Sequence, residues 1–407
     1  MYDLAAMGAW LEFAVRWLHV ITAIAWIGSS FYFIALDLGL HRDRNLASGA
    51  DGEEWQVHGG GFYHIQKYLV APANMPDGLI WHKWQSYWTW MSGFFLLVLV
   101  YYLGAEFYLI DPTVMELATW QAVGISLASL AFGWIVYNTL CKVFVDANQT
   151  GLMLALFVVL VGMAYFYTSV FSGRAAMLHL GAFTATIMSG NVFFIIIPNQ
   201  KIVVADLIAG RKPDPKYGKI AKQRSTHNNY LTLPVIFLML SNHYPLAFAT
   251  ENTWIIASLV FLMGVTIRHY FNSMHARTGN PTWTWAATVL IFIAIMWLST
   301  APMFRVDSPE EAQGAALRFA EAEGFEQVHD IVMGRCSMCH AAEPFWEGLL
   351  WAPKGVRLDT PVHIAGAARE IYLQAGISHA MPPANLSYME AEERAAIVAW
   401  YKAATGG

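Results

Sequence analysis

Eight stretches of this chain are long and apolar enough to cross a bilayer: residues 10–36, 84–109, 117–142, 151–171, 175–197, 229–249, 253–274 and 282–304. A span needs about 20 mainly apolar residues in helical form, because the hydrocarbon core offers no water to satisfy an open backbone. The pattern predicts an all-α, polytopic membrane protein with eight transmembrane helices. Composition agrees, since 57% hydrophobic and 13% charged residues, with 17 Trp in 407, is far from the soluble average. The apolar runs stop near residue 304, and residues 305–407 read as an ordinary soluble, acidic stretch. The expected organisation is therefore a membrane domain over 1–304, a linker helix over 305–324 and a small all-α domain over 325–407. Neither an internal repeat nor a low-complexity tract is visible.

Charge placement orients the spans. Arg42, Arg44, Lys67 and Lys83 lie between the first two, and Lys201, Arg211, Lys212, Lys216, Lys219, Lys222 and Arg224 between the fifth and sixth. The alternate connections carry Glu106, Asp111, Glu116 and Glu251, with Arg174 the one base. Positive charge marks the cytoplasmic side, so both termini are expected in the periplasm of a bacterial inner membrane. Met1-Tyr2-Asp3 opens without a basic region or cleavage site, and no removed signal peptide is expected.

Cys336-Ser337-Met338-Cys339-His340 is the attachment signature of a c-type haem: two thiols form thioethers and the adjacent imidazole ligates iron. Only Cys141 remains elsewhere, too few to complete a zinc site. Met381, in Ala380-Met381-Pro382-Pro383, is the expected second axial ligand, with His379 and His363 next in order and Met333, Met338 and Met389 as packing residues. A haem motif, a methionine before proline and a C-terminal helix resemble the small class I cytochrome c domains over about 325–404. Ser308-Pro309-Glu310-Glu311 predicts the start of the linker helix, and Ser387-Tyr388-Met389-Glu390 a capping box opening a final helix over 388–404. That helix presents Ile397, Trp400 and Tyr401 on one side.

Ionisable and amide side chains inside a span are costly, so each is a functional candidate. His19 and His179 lie in the periplasmic half. His19 shares a face with the small residues Ala23 and Ser30, and with Trp26. The two histidines either ligate a b-type haem or hydrogen-bond neighbouring helices. His82, His227, Asn228, Asn229, Arg268 and His269 lie toward the cytoplasm. They either bind a planar anion rich in donors and acceptors or cap and snorkel at helix ends. Asn242 and His243, at the periplasmic end of the sixth span, suit either haem group. The connection 37–83, with Trp55-Gln56-Val57-His58-Gly59-Gly60-Gly61-Phe62-Tyr63-His64 and Pro72-Ala73-Asn74-Met75-Pro76, reads equally as a ligand loop or as an interfacial one.

The segments Trp55–His64, Ile197-Pro198-Asn199-Gln200-Lys201 and His227-Asn228-Asn229-Tyr230-Leu231-Thr232-Leu233-Pro234 resemble the PuuD-type membrane urate oxidases, as does the whole layout. The resemblance implies oxidation of urate to 5-hydroxyisourate, with electrons leaving through the cytochrome to a terminal oxidase or soluble cytochrome and no hydrogen peroxide formed. It assigns no catalytic residue. Trp17-Leu18-His19 and Trp26-Ile27-Gly28 also resemble HemJ-like membrane proteins, in which the corresponding histidine ligates haem b. The alternatives are a haem-bearing electron carrier without catalysis, and a cytochrome-linked dehydrogenase of another small substrate. Nothing points to nucleic acid.

Overall fold

The computed structural model describes residues 4–68, 76, 78–144, 149–300, 314–346, 349 and 351–406. The expected linker-helix start Ser308–Glu311 and the stretch Pro72–Met75 lie outside the described residues. The first helix, α1 (Leu4–Gly39), has 36 residues, or about 54 Å, longer than a ~30 Å hydrocarbon core requires. After α1 come α2 (Trp84–Leu96), running on as a π-helical turn Leu97–Tyr102, and the short α3 (Ala105–Tyr108). The bundle continues with α4 (Thr119–Val143), α5 (Gln149–Thr168), and α6 (Gly173–Gly190), which passes through a π-helical Asn191–Ile196 into α7 (Ile197–Ile208). It closes with α8 (Pro215–Ser241), α9 (Thr253–His275) and α10 (Trp283–Thr300).

Among the described residues six helices, where eight were expected, are long and apolar enough to cross a membrane: Ala6–Gly39, Thr119–Val143, Gln149–Thr168, Gly173–Ile208, Thr253–His275 and Trp283–Thr300. The two segments that fall short, 84–109 and 229–249, contain α2 and most of the apolar half of α8. What these helices lack is apolarity. Ser86, Thr89 and Ser92 on α2, and Arg224, His227, Asn228, Asn229 and Thr232 on α8, are buried against other helices. The polar side chains that disqualify these helices as lipid-facing spans are the ones that line the interior of the bundle.

At the centre is α6, which packs against α4, α5 and α8, while α1 lies on α2 and reaches α8 and α9. Close approach needs small residues. A Cβ on Gly133 of α4 would sit 2.4 Å from the Phe183 ring of α6. The all-α expectation is corrected by an antiparallel hairpin, β1 (Ala50–His58) and β2 (Gly61–Tyr68). Gly59 and Gly60, with φ of 58° and 79°, supply the two left-handed residues of its tight turn. The hairpin is held to the end of α1 by the Lys67–Asp37 ion pair and by the Tyr32 hydroxyl, which donates to Gln56 Oε1 at 2.7 Å.

The C-terminal unit comprises α11 (Ala315–Ala320), α12 (Phe325–Arg335), α13 (Ser337–His340), α14 (Pro361–Gly366), α15 (Ala368–Ile371) and α16 (Ala391–Thr405). Its core gathers Phe319, Val328, Val332, Ile364, Ala368, Ile397 and Trp400, as the expected apolar side of the last helix requires. That helix begins later than the 388 expected. Glu390, not Ser387, is its N-cap, and the Glu393 carboxylate accepts from the Glu390 amide at 2.8 Å. The unit meets the bundle at α3, where Phe107 packs on Phe319 and the Tyr108 hydroxyl donates to Glu370.

Candidate functional site

Buried polar side chains on α8 face two ways. On one side, the Tyr137 hydroxyl of α4 hydrogen-bonds His227 Nδ1 at 2.8 Å and accepts from Asn191 Nδ2 at 3.0 Å. Asn191 also donates to Asn228 Oδ1 (2.9 Å) and accepts from Arg224 Nη1 (3.2 Å). Arg224 reaches Asn138 Oδ1 at 2.8 Å and lies over the Tyr137 ring. Arg224 is 2% exposed, so this base, which sequence reasoning assigned to a loop, belongs to the interior.

On the other side, Asn229 Oδ1 accepts from Arg268 Nε (3.2 Å) and from Asn272 Nδ2 (2.9 Å), and Arg268 Nη2 donates to Asn272 Oδ1 (3.0 Å). The guanidinium stacks on the Phe31 ring of α1 at 4.2 Å. Asn229 Nδ2 is buried with no hydrogen-bond partner, as is Gln85 Oε1 on α2. Ser189 of α6 donates to the Ser86 carbonyl, and its neighbour Met188 accepts from Asn228. The open Asn229 donor beside a guanidinium stacked on an aromatic ring suits an anion that also carries a carbonyl group.

The six candidates expected toward the cytoplasm therefore do not converge on one point. Asn229 and Arg268 come together, while His227 and Asn228 belong to the network behind them. His82 is exposed against Phe33, on the opposite flank of α1 from Phe31. His269 is exposed and, with His227, lines a largely apolar cleft of about 690 Å³ between α5, α8 and α9, with Lys219 and Lys222 among its other residues. A second, polar cavity of about 400 Å³ sits under the hairpin, lined by Tyr32, Leu36, His41, Gln56, His275 and Arg277 among others. Its floor lies about one turn beyond Phe31 and two beyond Arg268 along their helices. Asn272, Asn191, Tyr137 and Phe31 were missed by sequence reasoning. An amide inside a span, as at Asn191, was the available signal.

The paired intramembrane histidines differ. His19 Nδ1 donates to the Thr89 carbonyl at 3.0 Å and lies 3.2 Å from Ser92 Oγ. Ala23, Trp26 and Ser30 on its face are only half-buried. An imidazole anchored through Nδ1, with Nε2 unclaimed beside small residues, fits a haem-iron ligand. His179 does not fit. Its Nδ1 donates to Ala175 O (2.8 Å), its Nε2 accepts from Ser126 Oγ (2.9 Å), and Tyr101, Tyr167 and Phe171 enclose it. Of the two readings of His179, hydrogen bonding between helices is the one seen here, through Ser126 of α4.

In the C-terminal unit, α12 delivers Cys336 and one turn presents Cys339 and His340. His340 Nδ1 donates to Val356 O at 2.7 Å, which again leaves Nε2 unclaimed. Met381, 37% exposed, is held by its backbone: its amide donates to Gln374 O (2.8 Å) and its carbonyl accepts from Arg394 Nη1 (2.9 Å). Arg394 is buried and also donates to Ala375 O at 2.6 Å. His363 is taken by Asp359 (2.9 Å), and His379 is exposed. Partial burial pushes the Asp359 carboxyl up, but hydrogen bonds from Arg357, His363 and the Ala342 amide outweigh it and hold the group at about 2.

No curated protein and no solved structure matches the chain. The model of the urate oxidase N-terminal family matches residues 5–299, nearly all of the helical bundle and well over half of the chain. The protein belongs to the urate oxidase N-terminal family.

Proposed function

We propose that this protein oxidises urate to 5-hydroxyisourate within the membrane and delivers the electrons through a c-type haem to a terminal oxidase or soluble cytochrome. The observation that carries the reading is the junction, in one chain, of a urate oxidase family match over 5–299 with Cys336-x-x-Cys339-His340. Urate monoanion and one water give 5-hydroxyisourate, one proton and two electrons. Haem would supply one-electron acceptors at two places, one held covalently by Cys336 and Cys339 with His340 and Met381 to bind it, the other held without covalent attachment by His19.

The residues of the bundle do the rest. Arg268, fixed by Asn229 and Asn272 and backed by Phe31, takes the charge of the urate anion, and Asn229 Nδ2 donates to a purine carbonyl. The hairpin cavity is the entrance, with His275 on its wall and the Arg277 guanidinium against His41. Phe31 lies twelve residues from His19 on α1, about 18 Å of axial rise. A carrier partway along is therefore useful between the substrate end and the C-terminal unit. The cleft lined by His227 and His269 supports a second position for the substrate, because it is the larger of the two cavities and Tyr137 holds the His227 ring in place there.

In this reading all eight expected segments cross the inner membrane, with the hairpin cytoplasmic and the cytochrome c domain periplasmic. A cytoplasm-active reporter should then work when inserted near Lys216 and be silent after Gly407. The decisive experiment is anaerobic addition of urate to the purified oxidised protein. Reduction of the haem bands with formation of 5-hydroxyisourate is expected. Reduction by another small donor and not by urate would mark a different dehydrogenase, and no substrate-dependent reduction would leave an electron carrier.

A further inference from the structure

The cleft of about 690 Å³ between α5, α8 and α9 is graded along its length. α5 and α8 each pack on α9, and across the mouth Gln223 Nε2 donates to Gln149 Oε1 at 2.8 Å. On the α8 wall Lys219, Lys222, Thr226 and Tyr230, spaced three and four apart, share one helical stripe. The stripe begins at the two lysines and ends at Leu231, about 18 Å from Lys219 along the axis.

The other walls follow the same gradient. α5 enters the cleft at Gln149 and Thr150 and leaves it at Leu160. α9 runs opposite to α8, with Gly264 against Pro234 and Arg268 against Asn229, so His269 lies nearer the basic end than Phe261 does. The deep end has a buried apolar floor of Leu156, Leu160, Leu231 and Phe261. Above it, Leu154 and Leu262 are 61% and 38% exposed.

We propose that this cleft is a site for an anionic phospholipid, with the phosphate at Lys219 and Lys222 and an acyl chain lying over the apolar floor. The polar end alone could hold a small anion such as urate, but the floor beyond it asks for a chain. A neutral quinone has the chain but no charge to set against the two lysines. Both belong to the basic run 201–224, on the side expected to face the cytoplasm. Basic pockets between spans on that side suit anionic lipid head groups. The chain fills the gap between α5 and α8 that the Gln223–Gln149 hydrogen bond bridges at the mouth, and it leaves the hairpin end to the substrate. This holds whichever small molecule the bundle oxidises, because Arg268 and Asn229 are not among the residues lining the cleft.

The test uses full-length protein purified in mild detergent. Retained phospholipid is extracted and quantified, and the melting temperature is followed as phosphatidylglycerol or phosphatidylcholine is added back. Lys219→Gln/Lys222→Gln removes the charges, and Val265→Trp fills the trough at a residue 37% exposed. Wild type should retain phosphatidylglycerol and be stabilised by it in preference to phosphatidylcholine. With two lysines gone from beside the phosphate, the double variant should bind phosphatidylglycerol roughly 10–30-fold more weakly. Val265→Trp should lose the retained lipid. Equal stabilisation by both lipids, unmoved in the variants, would make the cleft an ordinary lipid-facing surface and overturn the proposal. Displacement of the retained lipid by urate or by a short-chain quinone would give the cleft to that ligand and overturn it too. Inorganic phosphate stabilising wild type as well as phosphatidylglycerol does would leave an ion site without a chain, with the same consequence.

Discussion

A Cβ placed on Gly93 would fall 2.8 Å from Cε1 of His19, so the α1 imidazole lies directly on the α2 backbone at the one position without a side chain. The contact and the Thr89 carbonyl fix the ring plane and the tautomer together. Gly93→Ala must push the ring away and break that hydrogen bond. Loss of a hydrogen bond that orients a ligand typically costs about 10–100-fold in affinity. The expected result is depletion of extractable haem, with covalent haem and membrane insertion retained. Retention of the full non-covalent haem complement in Gly93→Ala would argue against His19 as its ligand.

His179→Ala serves as the contrast. Its nitrogens bond Ala175 O and Ser126 Oγ, and the Tyr102 hydroxyl joins the same Ser126 at 2.8 Å. Removing the ring leaves a cavity and strands Ser126, so a loss of about 2–4 kcal/mol is expected, seen as a lower melting temperature in detergent. Haem content per folded molecule should not change. If haem falls in step with the histidine while the melting temperature holds, His179 is a ligand after all.

Arg394 is the residue that holds the Met381 segment, through the carbonyls of Ala375 and Met381. Arg394→Gln removes a buried charged donor and leaves those carbonyls open, at a cost of about 1–3 kcal/mol. The methionine-to-iron charge-transfer absorption of the oxidised protein should weaken, while the covalent haem stays attached. Met381→Ala should abolish the band outright. Survival of the band in Met381→Ala would show that another residue ligates iron.

Much of this architecture was legible because its signals are local. The apolar runs, the Cys336–His340 motif and the core-facing Ile397 and Trp400 depend on a few consecutive residues. The hairpin was also written locally, in Gly59-Gly60 between β-rich flanks, but the same glycines suit a ligand loop. The site was harder to read because it depends on partners distant in sequence. His19 and His179 look alike until Thr89 is found on one and Ser126 on the other. Arg224 sits in a basic run that points to a loop, and only Asn191 and Asn138, on other helices, explain its burial. Asn272 pairs with Asn229 across forty-three positions.

Asp359 makes the C-terminal unit acid-sensitive in a defined window. Its folded value of about 2 lies below the ordinary 3.8, so the unfolded chain binds the proton more readily. The resulting stability is fully present above about pH 4 and disappears as pH falls through 2. Asp359→Asn should lower stability at neutral pH and flatten the dependence between those limits. Thermal melts of the full-length protein, followed at the haem band from pH 2 to 7, provide the check. A variant as steep as the wild type would place the acid sensitivity in other carboxylates.

The two substrate positions make opposite predictions. At the hairpin end Arg268 carries the anion, and a hydrogen bond to a charged group contributes about 1.5–3 kcal/mol. Arg268→Gln should therefore raise KM for urate by roughly 10–100-fold. Asn272→Ala should act in the same direction but more weakly, because it loosens Arg268 without removing it. His227→Gln should affect KM little, since its ring bonds Tyr137 on the other side of α8 from Asn229 and Arg268, and its loss is felt in packing. If the α5–α8–α9 cleft holds urate instead, the order reverses: His227→Gln raises KM and Arg268→Gln destabilises the bundle without weakening urate binding. Measuring KM and melting temperature for all three variants distinguishes the positions. A rise in KM with His227→Gln alone would move the substrate to the cleft.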